Sequence, residues 1–328
     1  MKAMIVNPDN RKLEWKEVAN PICLEDSIVV DIHCAAVNRA DLLQRDGKYP
    51  SPKGWPSWMG LELSGTILEM GKKAQENTSF KIGDKVCALV GGGAYAERIA
   101  IPYQLVMAMP KGLSYEEASA IPEAYTTSYL NLFYEGHLKK GDVCYISAGA
   151  SGLASAAIPM AKAAGATVVT SVMNEEIAAK INHLGSDYII VQSKESIPSA
   201  FERLEKEGKP VKVAMDCLCG EDLGKAMPFM AEGGYWVVIS TLAGIETRIM
   251  LRPLLTKGLH LVGSMLRKRS NSEKQALLSD LQKSMWKYFE NGDIKVNVYK
   301  TLPISEVEEA HQLLLQNRNV GKVVLRIK

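Results

Sequence analysis

The sequence predicts an α/β protein in which a doubly wound parallel sheet is inserted in a β-rich second domain. In the middle of the chain, short apolar runs alternate with helical segments, which is typical of a parallel sheet covered on both faces. On either side, short alternating runs are separated by Gly and Pro, which indicates strands joined by tight turns. We therefore expect a β-rich substrate domain from residues 1–122 and 266–328, and an inserted domain from residues 123–265.

The first part of the chain contains five predicted strands, at residues 3–6, 27–36, 64–70, 85–89 and 96–101. Ser114, with Glu117 three residues later, forms a capping box that predicts the start of a helix. Pro122 is expected to end that helix, and a second helical pattern runs from about residue 125 to residue 135.

The inserted segment begins at Asp142 and consists of alternating strands and helices. The predicted strands are residues 143–146, 166–170, 188–191, 211–216, 236–241 and 259–264, with helices at 175–184, 199–206 and 222–230. A helix at 273–290, a strand at 296–301, a helix at 305–316 and a strand at 322–327 then resume the β-rich domain. The two domains are expected to leave a cleft, which is a usual place for a substrate.

Composition narrows the class of protein. The chain has 328 residues, of which 47% are hydrophobic and 23% charged, as in an ordinary globular protein with well-developed cores. A formal net charge of +2 gives no electrostatic argument for binding to nucleic acid or to a membrane surface. The six cysteines are scattered, which suits buried thiols in a reducing compartment, so we expect a cytoplasmic protein.

The turn after the first inserted strand is a candidate phosphate-binding loop. Residues 142–170 follow the order strand, small-residue turn, helix and strand, which is the outline of a dinucleotide-binding βαβ unit. Where G-x-G-x-x-G is expected, the chain has Gly149, Ala150, Ser151, Gly152, Leu153 and Ala154. Ser151 occupies the position at which bare backbone usually approaches the pyrophosphate, although the neighbouring Gly152 could take that part. A purely structural turn is the alternative.

Ordered motifs extend along the whole chain. They are CAAVNRADLLQRDGKYPSP (34–52), WMGLELSGTILEMG (58–71), FKIGDKVCALVGGGAYAE (80–97), AIPEAYTTSYLNL (120–132), SAGASGLASAAI (147–158), SMLRKR (264–269) and NVGKVVL (319–325). Through these motifs the chain resembles the zinc-free quinone oxidoreductases of the medium-chain dehydrogenase/reductase superfamily, in particular the subgroup of tumour-suppressor-inducible NADPH quinone oxidoreductases. The resemblance implies a Rossmann domain inserted in a GroES-like catalytic domain.

The same resemblance indicates whether the chain has the ligands of a catalytic zinc ion. Zinc-dependent alcohol dehydrogenases of this superfamily hold a catalytic zinc with a Cys shortly before an Asp, with the His of Gly-His-Glu, and with a later Cys or His. In this chain Asn38 stands at the first position and Leu61 at the second, and the four-cysteine structural lobe is missing. Without thiolate or imidazole donors no zinc site of the usual kind is expected.

Asn38 and Tyr49 are, by resemblance, the polar residues that face the nicotinamide and the substrate. Tyr49 could donate a hydrogen bond to a carbonyl oxygen on which negative charge develops. The alternatives are that Asn38 caps a helix at residues 39–44 and that Tyr49 only packs within a loop. Thr127 is expected to contact the cofactor near the nicotinamide, with an ordinary hydroxyl at a helix start as the alternative.

The choice of dinucleotide depends on the end of the second strand of the unit. Residues 171–174 include no Asp or Glu there, which permits NADPH. However, the usual phosphate-binding Lys of the family is Ile177 here, and the Tyr near the same ribose is Gln192. Asn174 and Lys194 could partly compensate. We expect NADPH as the cofactor, with NADH as the alternative.

Further cofactor contacts are expected in loops that follow later strands. Since ligands lie at the carboxyl ends of strands in such sheets, the candidates include residues after the fifth and sixth inserted strands, and one residue before the last strand of the chain matches a family position near the nicotinamide. These candidates are Ser240, Leu242, Met265, Leu266 and Asn319. The alternative for each is an ordinary loop.

The sequence thus predicts hydride transfer from NAD(P)H to a quinone or similar electron-poor carbonyl compound, which needs no metal Lewis acid. The first alternative is reduction of an α,β-unsaturated carbonyl compound on the same scaffold. An alternative of another class is a crystallin-like nucleotide- or RNA-binding protein with little turnover. The resemblance also suggests a homodimer formed by edge-to-edge extension of the parallel sheet, with residues 259–264 near that edge.

Overall fold

The computed structural model describes all residues from 1 to 328, and they form two compact units. The discontinuous unit comprises Met1–Thr126 and Arg269–Lys328, and the inserted unit comprises Thr127–Lys268. The boundaries that the sequence analysis placed at residues 122/123 and 265/266 fall at 126/127 and 268/269 by this division.

The first part of the discontinuous unit contains seven strands and the first four helices. The strands are β1 (Lys2–Val6), β2 (Leu13–Glu17), β3 (Ser27–Val37), β4 (Glu62–Met70), β5 (Lys85–Leu89), β6 (Arg98–Pro102) and β7 (Val106–Ala108). The helices are α1 (Arg39–Arg45), α2 (Lys72–Asn77), α3 (Tyr115–Ser119) and α4 (Pro122–Tyr129), the last of which runs into the inserted unit.

The inserted unit alternates six strands with five helices. The strands are β8 (Val143–Ile146), β9 (Thr167–Val172), β10 (Tyr188–Val191), β11 (Val213–Asp216), β12 (Tyr235–Val238) and β13 (His260–Gly263). The helices are α5 (Ala154–Ala163), α6 (Glu175–Ile181), α7 (Ile197–Lys206), α8 (Glu221–Ala226) and α9 (Leu251–Thr256). The chain then returns to the discontinuous unit with α10 (Asn271–Glu290), β14 (Val298–Pro303), α11 (Val307–Leu315) and β15 (Lys322–Arg326).

The inserted sheet is parallel throughout, with the strand order β10-β9-β8-β11-β12-β13. This is the order of a doubly wound sheet whose direction of winding reverses beside β8, and it confirms the predicted fold class. Its core contains Tyr145, Phe201 and Trp236. The ring centroid of Phe201 lies 5.2 Å from that of Tyr145 and 5.6 Å from that of Trp236. The indole nitrogen of Trp236 donates to buried Asp216 at 3.1 Å, so this large side chain buries no unpaired N–H.

The sheet of the discontinuous unit has the order β14-β15-β3-β4-β5-β7, with β6 also paired to β3. Two antiparallel pairings position the site. β15 runs along the end of β3, with Val323 opposite Val37, and β4 runs along its other side, with Leu63 opposite Ala35. Residues far apart in sequence, at the starts of β4 and β15, are thereby brought to the end of β3.

Several elements differ from the prediction. Pro122 begins α4 and does not end the preceding helix, because proline is well suited to a first helical turn. The predicted helix at 125–135 becomes π-helical from Leu130 to Glu135. β2, β7, α2 and α9 were not predicted, since they are short, charged or weakly periodic. None of the helices is long and apolar enough to cross a membrane.

Candidate functional site

The turn after β8 is shaped for close approach of the backbone to β9. The Gly149 N–H donates to the Ser171 carbonyl at 2.8 Å. A Cβ atom on Gly149 would lie 2.6 Å from Thr170 Oγ1, which a real side chain would not tolerate. The preceding residue, Ala148, has a φ of +53°, a left-handed conformation that is rare in non-glycine residues. The chain therefore makes its sharp turn at Ala148 and its close contact at Gly149.

Ser151 lies in this turn, three residues before the start of α5. Its Oγ accepts a hydrogen bond from the Ala154 N–H at 3.0 Å, at the first residue of α5. The backbone N–H groups of Ala150, Gly152 and Leu153 donate to no other protein atom. Unpaired N–H groups at the start of a ten-residue helix form a site for an anion, and here they fit the pyrophosphate of a dinucleotide.

The adenosine end predicted for the cofactor lies at the neighbouring strands. Val172 and Val191 are opposite each other at the ends of β9 and β10, and the Gln192 N–H donates to the Val172 carbonyl at 2.8 Å. Asn174 caps α6, where its Oδ1 accepts from the Ile177 N–H at 3.0 Å. Asn174 and Gln192 thus follow the carboxyl ends of two neighbouring strands, β9 and β10.

Lys194 is already engaged in an ion pair. Its ammonium contacts the carboxylate of Glu175, and both side chains are well exposed. Exposed pairs of this kind contribute little free energy and exchange readily, so Lys194 is available to another anion at small cost.

The loops after β12 and β13 contain the remaining candidates of the inserted unit. Leu242 and Met265 are 55% and 48% exposed, whereas Leu266 is buried, so any contact of Leu266 with a ligand has to come from its backbone. Ser240 accepts from the Cys219 thiol through its carbonyl at 3.1 Å. Ser264, which belongs to the same predicted loop as Met265 and Leu266, has a buried Oγ with no hydrogen-bond partner within the protein. An orphaned hydroxyl at the carboxyl end of a sheet strand fits a ligand group.

Thr127 lies on α4 and is half-buried. Its carbonyl accepts from Asn131 Nδ2 at 2.7 Å, within the stretch where the helix becomes π-helical. The oxygen of the same Asn131 amide is buried and has no partner. Because π-helical turns are rare and often occur at functional sites, this segment agrees with the expectation for Thr127 without testing it.

The discontinuous unit contains a fully buried carboxylate, Asp41, that the sequence analysis did not identify. Its oxygens accept from the backbone N–H groups of Asn38 (2.8 Å) and Gly60 (2.9 Å) and from the Tyr95 hydroxyl (3.1 Å). Burial raises the pKa of Asp41 to about 6, although these three hydrogen bonds act in the opposite direction. Asn38 occupies the N-cap position of α1, but its side chain makes no capping hydrogen bond.

The side chain of Asn38 belongs to a second buried group, formed with Glu62 and Lys322. Asn38 Nδ2 donates to Glu62 Oε1 at 2.9 Å, and Lys322 Nζ donates to Asn38 Oδ1 at 2.7 Å. Lys322 Nζ is also 2.7 Å from Glu62 Oε1, with side-chain exposures of 5% and 0%. The other carboxylate oxygen of Glu62 accepts from the Glu123 N–H at 2.8 Å.

The residues at the zinc-ligand positions do not fit a zinc ion. Leu61 is buried and has no donor atom, and Asn38 offers an amide whose oxygen is bound to the Lys322 ammonium. Zinc in proteins is held by thiolate, imidazole and carboxylate groups. Glu62 is a carboxylate, but the oxygen that faces Asn38 already contacts a positive charge.

Tyr49 and Asn319 also lie in the discontinuous unit. Tyr49 is half-buried in the segment that follows α1. Asn319 Nδ2 donates to the Gly321 carbonyl at 2.8 Å, next to Lys322. The candidates are therefore divided between the two units, with Asn38, Tyr49 and Asn319 in the discontinuous unit and the others in the inserted unit. The signal that could have revealed Glu62 and Lys322 is a charge at the start of an apolar strand.

Comparison with known proteins gives the family. Residues 25–111 match the model described as "Alcohol dehydrogenase GroES-like domain", and residues 152–283 match the one described as "Zinc-binding dehydrogenase". A quinone oxidoreductase-like protein 2 homolog from Nematostella vectensis is 28% identical over 97% of this chain and 89% of its own length. An acryloyl-coenzyme A reductase from Sulfurisphaera tokodaii is 26% identical over 99% of this chain and 100% of its own.

A solved structure of a quinone oxidoreductase also matches the whole chain. The quinone oxidoreductase of Thermus thermophilus, whose structures include a complex with NADPH, superimposes with a TM-score of 0.81 at 25% identity over 100% of both chains. The chain also spans 12% and 16% of two highly reducing polyketide synthases, from Cordyceps militaris and Didymella fabae. Because the GroES-like and zinc-binding dehydrogenase models match in order along the chain, the protein belongs to the medium-chain dehydrogenase/reductase superfamily, with quinone oxidoreductases among its relatives.

Proposed function

We propose that the protein is an NADPH-dependent reductase of quinones or similar electron-poor carbonyl compounds that works without a metal. The observation that carries the proposal is the open row of backbone N–H groups at Ala150, Gly152 and Leu153, next to a glycine that no larger residue could replace. When bound, the dinucleotide supplies a hydride. Residues of this chain bind the cofactor and orient the acceptor.

The inserted unit binds the cofactor in this proposal. The N–H groups of the turn hold the pyrophosphate, while Asn174 and Gln192 contact the adenosine end. Thr127, Ser240, Leu242, Met265 and Leu266 contact the rest of the dinucleotide, with Asn319 of the discontinuous unit near the nicotinamide. NADPH is preferred because the last residue of β9 and the two after it carry no carboxylate that would repel a 2′-phosphate, and because Lys194 can leave its exposed partner Glu175. With Ile177 at the family's lysine position, NADH stays the alternative.

The discontinuous unit orients the acceptor. The Asn38 amide is held by Glu62 and Lys322 and so presents a fixed orientation. Tyr49 donates a hydrogen bond to the acceptor's carbonyl oxygen as negative charge develops there. A quinone needs no stronger activation, because its carbonyl groups are already electron-poor.

Reduction of an activated carbon–carbon double bond is the second candidate. It is favoured by the similarity to an acryloyl-coenzyme A reductase over the whole length of both chains. The crystallin-like RNA-binding alternative has less support, since a formal net charge of +2 offers no basic surface of the kind that dominates binding to phosphate backbones.

Parallel oxidation of NADPH and NADH with a simple quinone and with an enone tests the function. We expect turnover with NADPH and the quinone, and a preference for NADPH over NADH of about tenfold, the value of one charge-assisted hydrogen bond to the 2′-phosphate. Absence of turnover with every pair, in a protein shown to be folded by its circular dichroism, contradicts the reductase. Faster turnover of the enone selects the second candidate.

The replacement Ser151→Asp tests the pyrophosphate cradle separately from catalysis. Aspartate caps a helix as well as serine does, so the fold is retained, while its charge repels the pyrophosphate. We expect the Kd for NADPH, measured by fluorescence titration, to rise by about tenfold or more. Ser114→Asp, the same change at the N-cap of α3, is the matched control and should leave the Kd unchanged. An unchanged Kd in Ser151→Asp would remove the turn from the proposed binding site.

The carboxyl group of Glu123, whose N–H binds Glu62, is protonated at neutral pH in the folded protein. Burial, reinforced by the negative charge of Glu62 and opposed by the positive charge of Lys322, raises the pKa of Glu123 from 4.5 to about 8. Between these two values the folded protein binds a proton that the unfolded chain has lost. The free energy of unfolding therefore decreases as the pH rises through this interval.

The replacement Glu123→Gln should abolish most of this pH dependence. One pKa unit corresponds to about 1.4 kcal/mol, and since relaxation absorbs part of the shift we expect the wild type to lose about 2 kcal/mol from about pH 5 to about pH 8 through this group. Urea unfolding at both pH values measures the loss, which should be much smaller in Glu123→Gln. Glu76→Gln, on the exposed face of α2, is the control and should behave like the wild type. Equal slopes in all three proteins would contradict the assignment.

We also propose that the protein is a homodimer formed along β13. This edge strand of the parallel sheet carries Leu261 at 45% exposure, and the preceding helix carries Leu251 and Leu255 at 72% and 82%. Exposed apolar side chains beside an unpaired strand edge are typical of an interface between copies.

Light scattering coupled to gel filtration should therefore give twice the chain mass of 35.9 kDa. Leu261→Glu is expected to shift the mass toward that of a single chain, because a carboxylate would be buried without a partner. Ile22→Glu, at a site 77% exposed in the discontinuous unit, should leave the dimer intact. A monomeric wild type would refute the dimer.

A further inference from the structure

We infer that Lys322 is the built-in cation of the site around Asn38 and a positioning residue for the proposed reaction. Its ammonium holds Asn38 and Glu62 at the positions beside which zinc-dependent members of the superfamily hold their metal. The inference rests on the proposed function for its catalytic consequence, but its structural part can be measured without turnover.

The Lys322 ammonium makes all of its close polar contacts with the protein. It donates hydrogen bonds to Asn38 Oδ1 (2.7 Å) and to the Val37 carbonyl (3.2 Å), and it forms an ion pair with Glu62 Oε1 at 2.7 Å. A buried ammonium is tolerated only when it is paired and fully hydrogen-bonded. A divalent ion at the same place would meet a fixed positive charge in a medium of low dielectric constant, and would be repelled.

The backbone fixes where this ammonium lies. Lys322 begins β15, whose pairing with β3 sets Val323 opposite Val37. The preceding Gly321 has a φ of +107°, and a Cβ there would lie 2.5 Å from the Asn297 carbonyl oxygen. The Lys322 N–H donates to that same oxygen at 2.9 Å. The turn at Gly321 and the register of β15 with β3 thus fix the position of the Lys322 backbone at the end of β3.

The ammonium selects one orientation of the Asn38 amide. Asn38 Oδ1 faces the Lys322 donor, and Nδ2 faces the Glu62 carboxylate at 2.9 Å. A flipped amide would set N–H groups against an ammonium and an oxygen against a carboxylate, so both contacts would become repulsive. Removal of the positive charge removes one of the two contacts that set this orientation and leaves Glu62 as an unpaired buried charge.

The decisive experiment compares Lys322→Met with the double variant Glu62→Gln/Lys322→Met. In the single variant the unpaired carboxylate should lower Tm by about 10 °C, whereas the double variant, in which both charges are removed together, should recover at least half of that loss. For both variants we expect kcat with NADPH and a quinone to fall about tenfold or more, while KM for NADPH stays within about twofold, because the proposed cradle lies in the other unit.

The matched control is the exposed pair of Lys300 and Glu309 in the same unit, 2.5 Å apart with exposures of 44% and 49%. Lys300→Met should change neither Tm nor kcat appreciably, since exposed pairs contribute little. Nuclear magnetic resonance of protein labelled with ¹⁵N-lysine gives a readout independent of turnover. A protected ammonium signal should be present in the wild type, absent in Lys322→Met and shifted in Glu62→Gln.

Each outcome decides the inference. Wild-type kcat in Lys322→Met overturns the positioning role, and so does wild-type kcat in the double variant, because the lysine would then only neutralise Glu62. If the wild type turns over no acceptor, the proposed function fails by itself, and the ammonium signal with its response to Glu62→Gln still tests the buried cation. A signal that is missing, or that ignores Glu62→Gln, overturns the inference while leaving an active enzyme untouched.

Discussion

The buried ion pair between Lys322 and Glu62 is the constraint on which the discontinuous unit depends. Both side chains are almost completely removed from water, with exposures of 5% and 0%, and desolvation of two charges is costly unless every hydrogen bond is made. This requirement fixes the neighbouring backbone. Val37 must end β3 with its carbonyl toward the ammonium, and the Glu123 N–H must reach the second carboxylate oxygen. The last strand of the chain is thereby tied to its first third.

In the inserted unit, the proposed anion site consists of uncharged backbone N–H groups. Its turn has Ser151 and Ala154 in place of two glycines of the usual pattern, and the structure shows why the first replacement is tolerated. Ser151 accepts a hydrogen bond from the Ala154 N–H at the start of α5, which occupies one helix-end donor and leaves those of Gly152 and Leu153. The glycine that cannot be spared is Gly149, where a Cβ would collide with Thr170. Sequence departure and retained geometry are therefore compatible.

Much of the fold could be predicted because it follows from local periodicity, whereas the polar core of the site could not. The six strands of the inserted sheet are apolar runs bounded by turns, and their parallel direction follows from alternation with helices. Strand β2, by contrast, contains Glu14, Lys16 and Glu17, so its sequence lacks an apolar pattern. Glu62 and Lys322 meet only through the register of β3 with two other strands. No local pattern encodes such a pairing; it is visible in sequence only as a charge beside apolar neighbours.

The nature of the cation bears on the substrates that the proposed enzyme can accept. A metal ion with an open coordination position polarises a carbonyl oxygen that binds to it. The ammonium of Lys322 has no such position, because it is paired with Glu62 and donates to Asn38 and to the Val37 carbonyl. It can order the amide beside it, but it cannot withdraw electrons from an acceptor. Activation must then come from the acceptor itself, and from a weaker donor such as the Tyr49 hydroxyl. Quinones and enones, whose conjugated carbonyl groups already stabilise added negative charge, are the acceptors that meet this condition, whereas a simple ketone is not.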